Sequence, residues 1–123
     1  MTLDEAAERA RHDLGKYVAL QTRWVGVEGD VEELRAALIV DLRRTRSGPG
    51  AITGVAGVWA GLRGALAAEE RLVAEVAEVD RIVAELALRD LEALDEAGVR
   101  ETAKLALSCA RAARELARAA TAW

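Results

Sequence analysis

The chain has 123 residues, 52% hydrophobic and 31% charged, with 21 acidic against 17 basic side chains and a formal net charge of -4. That is enough apolar material for one core, and too much for a disordered chain; the acidic balance argues against binding nucleic acid by phosphate neutralisation. Cys109 is the single cysteine, which excludes an intramolecular disulfide and a cysteine metal cluster, and aromatic residues make up only 3%.

A core so poor in aromatics must be built from Leu, Val and Ala, which suits closely packed helices. Residues 1–8 are acidic and hold no apolar run, unlike a secretory leader, so a cytoplasmic location is expected.

In chain order, residues 3–25 read as a first helix. Leu3, Ala7, Ala10, Leu14, Tyr17, Gln21 and Trp24 recur at steps of four and three, one face of an amphipathic helix. Thr2 stands as N-cap with Glu5 three residues on, a capping-box pattern. Asp30 is placed to cap a second helix, whose stripe is Val31, Leu34, Leu38 and Leu42, widened by Ala37 and Ile39. Arg43 and Arg44 close it, and residues 46–50 read as a loop.

From about Val55 a third helix is expected. Gly54, Gly57, Gly61 and Gly64 repeat along it at helical spacing. Each glycine costs about 0.8–1.0 kcal/mol relative to alanine in a helix interior, so either close packing of the glycine face or fraying at the helix start is expected. Arg63, Glu69 and Glu70 argue against a membrane span here.

Leu72, Val76, Val79, Val83 and Leu86 then hold a heptad, which fits equally a bundle seam and a coiled-coil dimer. The pattern slips at Asp90, so a bend or a short break is expected over residues 88–90, and residues 96–98 read as a boundary or a helix kink. Val99, Ala103, Ala106, Ala110, Ala113, Leu116 and Ala120 give the last helix a narrow alanine face. The pattern predicts one domain over residues 1–123, an all-α, antiparallel up-and-down helical bundle of four to five helices.

Residue types suited to chemistry gather at one place, residues 11–17, Arg-His-Asp-Leu-Gly-Lys-Tyr. His12 is the only histidine. At roughly 100° per residue it lies about 200° from both Ala10 and Leu14, and so points away from the core. One helical turn away lie Glu8, Arg9, Gly15 and Lys16, with Ala19 two turns on. The spacing therefore presents an imidazole beside cations, with small residues around it.

His12-Asp13-Leu14 resembles the H-box of histidine-kinase dimerisation domains and, more loosely, histidine phosphotransfer bundles. The resemblance covers about seven residues and the helical class. It implies a phosphoryl-accepting His12 and a protein partner of the response-regulator receiver type. Asp13 would hold the ring or take its proton, and Lys16 would offset phosphate charge. Gly15, Ala19 and Arg9 would form the docking surface. Gly15-Lys16 stands in the reverse of the Lys-Gly order of those bundles, and no glycine-rich nucleotide segment is present for a complete kinase.

Residues 12–16 also resemble the HD-domain signature, but without the further histidines of its metal set. No metal or cofactor is expected, and no nucleic acid or membrane partner. The competing expectation is a non-enzymatic helical adaptor or homodimerisation module that uses the glycine or heptad face, with His12 an ordinary surface residue.

Overall fold

A computed structural model describes residues 2–26, 30–43 and 55–121; within these, the side chains of residues 17, 19–26, 40 and 43 lie outside the description. The expected loop at 46–50, the arginines at 43, 44 and 46, Gly54 and Trp123 therefore fall outside what is described.

Five α-helices form an up-and-down bundle: α1 (Leu3–Gly26), α2 (Val31–Arg43), α3 (Val55–Leu66), α4 (Val73–Ala87) and α5 (Glu96–Thr121), with a 3-10 turn at Glu70–Leu72 before α4. The starts of α1, α2 and α5 follow their capping residues. Thr2 Oγ1 accepts the Glu5 amide at 3.2 Å, and Asp30 Oδ1 accepts the Glu32 amide at 2.9 Å. Asp95 Oδ1 accepts the Gly98 amide at 2.8 Å, which begins α5 three residues earlier than the apolar face alone implies. Gly98 fits that entry closely: a β-carbon there would sit 3.0–3.2 Å from Leu94 and the Asp95 carboxylate, so those side chains would have to shift by a few tenths of an ångström.

α5 is the element around which the others gather, in contact with α1, α2, α3 and α4. Its expected narrow alanine face is wider than the sequence suggests. Thr102, Leu107, Cys109 and Ala117 are buried together with Val99, Ala103, Ala106, Ala110, Ala113, Leu116 and Ala120, about half the helix circumference. A helix with neighbours on several sides needs small residues over a wide arc, so the width follows from its central place.

The most extensive contact is α1 on α5. Ala6, Ala7, Ala10 and Leu14 are buried on α1. The heptad turns inward: Leu72, Val79 and Leu86 are buried and Val76 and Val83 partly so, while Ile82, outside the heptad, is buried as well, and α4 packs on α5. The chain breaks after Ala87, and the segment that follows is tied to α2 by a hydrogen bond from Arg35 to the Leu91 carbonyl.

α3 starts where expected, but Gly61 and Gly64 are not packed as expected. A β-carbon at Gly61 or Gly64 would meet nothing within 4 Å. The helix instead turns Val55, Trp59, Leu62 and Leu66 to the core and leaves Ala60, Gly61 and Gly64 exposed. Its binding energy inside the fold comes from the apolar face, anchored by Trp59.

Trp59 Nε1 donates to Asp80 Oδ1 at 2.9 Å, and Arg63 Nε donates to both Asp80 oxygens at 3.0 and 2.8 Å. These bonds fix α3 to α4. Burial by itself would raise the Asp80 carboxyl, but the Arg63 and Trp59 hydrogen bonds and the Arg63 charge outweigh it and hold the group below its usual range. A lowered folded-state value means that the stabilisation is present above the unfolded-state value and is lost as pH falls through the folded one. Asp80→Ala leaves the Trp59 indole N–H buried without an acceptor. The expected loss at neutral pH is about 1–2 kcal/mol, kept modest by solvent screening of the half-exposed Arg63–Asp80 pair. Urea unfolding of both proteins checks this, and the difference should shrink on acidification below about pH 4.

Candidate functional site

The site expected around residue 12 is positioned by the way α1 buries its opposite side. Ala6, Ala7, Ala10 and Leu14 are buried, between 0% and 5% exposed, so His12 is turned to the outside. Arg9 and Lys16, the neighbours on one flank, are exposed as well. Glu8 is exposed and holds Arg11 through a 2.6 Å ion pair. Asp13 is half-buried. Ala19 lies within α1, but its side chain is outside the described residues.

Gly15 does not share the open face. It is half-buried on the flank facing α5, where the Arg114 guanidinium covers it. A β-carbon at residue 15 would stand 3.7 Å from Arg114 Cζ and Nη2 and 3.9 Å from Nε. A methyl group would just touch the guanidinium, and a longer side chain would displace it. The absence of a side chain at Gly15 leaves room within the bundle for a cation from α5.

Arg114 is the residue that the sequence reading left unassigned. Its Nε is buried and has no hydrogen-bond partner. The helical wheel contains a trace of this placement: Arg114 follows Ala110 by four residues and so borders the buried face of α5.

The charges around His12 are unevenly matched. Among the described residues, Arg11, Arg35, Arg63, Arg71, Arg81, Arg89, Arg100 and Arg118 each hold a carboxylate, and Arg111 is engaged too. Arg9, Lys16 and Arg114 hold none among those residues. These three cations lie on both sides of the imidazole: Arg9 and Lys16 along one flank of α1, Arg114 over Gly15 on the other.

Other chemistry-bearing groups are less suitable. Cys109 is fully buried, and burial first, with the Asp41 charge second, pushes its thiol up to about 12. It stays a protonated core residue at neutral pH rather than a nucleophile. A shallow depression of about 350 Å³ lies where Ile39 of α2 meets Leu88, Leu91 and Glu92, and no α1 residue lines it. Among the described residues there is no group of three His, Cys, Asp or Glu side chains suited to a metal ion. No described helix is long and apolar enough to cross a membrane.

In comparisons with known proteins, no family model, no curated protein and no solved structure matches the chain.

Proposed function

We propose that the chain accepts or relays a phosphoryl group at His12 by docking a partner of the receiver-domain type. One observation carries this reading: the sole imidazole stands outward on α1, opposite the buried Ala7–Ala10–Leu14 stripe, with Arg9 and Lys16, which hold no carboxylate among the described residues, beside it. A neutral imidazole nitrogen would attack the phosphorus of an aspartyl phosphate. The P–N bond forms as the P–O bond breaks, the aspartate carboxylate leaves with its electron pair, and the ring proton passes to water or to Asp13. Lys16 and Arg9 offset the charge of the incoming group. The resemblance to the H-box supports the same assignment through His12, Asp13 and Leu14.

Incubation with phosphoramidate, a small phosphoryl donor, tests the acceptor chemistry. The expected result is an acid-labile mass gain of one phosphoryl group that maps to His12 and disappears in His12→Gln. An unmodified wild-type chain, under conditions that label a known phosphotransfer domain, contradicts the reading; so does equal labelling of the variant.

A second reading, a non-enzymatic homodimerisation module, is favoured by α3. Ala60, Gly61, Gly64, Ala67 and Ala68 are exposed, and Gly61 and Gly64 have open space beyond them. Two glycines that no packing inside the fold requires would let a second copy approach closely. Gly61→Ala should then stabilise the monomer by about 0.8–1.0 kcal/mol, whereas Gly61→Glu abolishes association. Sedimentation equilibrium of wild type and Gly61→Glu decides it: a dimer lost in the variant supports the reading, and the same mass for both contradicts it.

A further inference from the structure

The guanidinium of Arg114 is a cation brought to the flank of His12 by a different helix, and nothing in the fold uses its charge. Its Nε is buried without an acceptor, and no carboxylate among the described residues pairs with it. Among the arginines whose side chains are described, every other one except Arg9 is engaged. A guanidinium partly removed from water without a counter-charge is strongly inclined to take an anion, and its planar fork matches the geometry of a phosphoryl or carboxyl group.

The placement is specific. Arg114 Cζ and Nη2 lie 3.7 Å from the β-carbon position of Gly15. Gly15 follows His12 by three residues, so the two β-carbon positions are about 5–6 Å apart on the same side of α1. A tetrahedral oxyanion at the imidazole edge therefore lies within reach of the Arg114 fork, with Lys16 on the opposite side. The absence of a side chain at Gly15 is what lets the guanidinium lie there, because a longer side chain would displace it away from the His12 flank.

We propose that Arg114 and the notch at Gly15 form an oxyanion-binding site beside His12, which holds the phosphoryl group from the α5 side. The identity of that anion rests on the phosphotransfer reading; the existence of the site does not. The test uses the full chain, inorganic phosphate as probe, and NMR observation of the Gly15 amide and the His12 imidazole. Arg114→Gln keeps most of the side chain's bulk and serves as the test variant, and Arg118→Ala, which removes an exposed arginine already paired with Glu115, serves as control.

Saturable shifts at Gly15 and His12 in the wild type and in Arg118→Ala, weakened at least about tenfold in Arg114→Gln, would support the site. Equal affinity in Arg114→Gln overturns it, as does a wild type whose two resonances ignore phosphate. If phosphate binds through Arg114 but phosphoramidate never labels His12, the oxyanion site stands and the phosphotransfer reading fails.

Discussion

The packing of α1 against α5 is the contact on which the rest of the structure depends. Ala6, Ala7 and Ala10 are buried on one helix, and Ala103, Ala106, Ala110, Ala113 and Ala117 on the other. Small side chains contribute little apolar area each, so such a pair gains by closeness: many weak dispersion contacts at short range and little rotamer entropy to lose. The larger anchors, Trp59, Leu62 and Leu66 of α3 and Val79, Ile82 and Leu86 of α4, complete the core around this pair. A bulky replacement along the alanine surfaces would separate the helices and disturb every element that rests on α5.

The same contact sets the chemistry of the surface. Because Ala7, Ala10 and Leu14 face inward, His12 can only face outward. Because the helices lie close, the Arg114 side chain of α5 reaches over α1 and covers Gly15. The imidazole thus stands on a helix, with Arg9 and Lys16 on one flank and Arg114 on the other, none of them paired with a carboxylate among the described residues.

Much of the fold was legible from periodicity and capping, because α1, α2 and the onset of α3 obey local rules. Thr2, Asp30 and the apolar stripes act within a few residues of themselves. The break after Ala87 was marked by Asp90 falling where an apolar residue was due. The width of the buried face of α5 was not legible. It depends on α5 being surrounded, a tertiary fact, and Cys109 and Thr102 carry no mark of it in sequence. Whether the α4 heptad served a dimer or the bundle was undecided for the same reason: both uses need the same pattern. The glycine spacing of α3 suggested internal close packing, whereas the helix turns Trp59 inward and Gly61 and Gly64 to open space. At the candidate site the outward direction of His12 followed from helical phase. The place of Arg114 did not, since 99 residues separate it from Gly15 and only the α1–α5 contact joins them.

α1, held against α5, displays the imidazole of His12 to the outside. Because the chain has a single histidine, the rate of its carbethoxylation by diethyl pyrocarbonate reports on that residue alone. The account predicts a rate in the native chain close to that of the urea-unfolded chain. A native rate far below it, recovering only on unfolding, would mean that His12 is covered and would contradict the account.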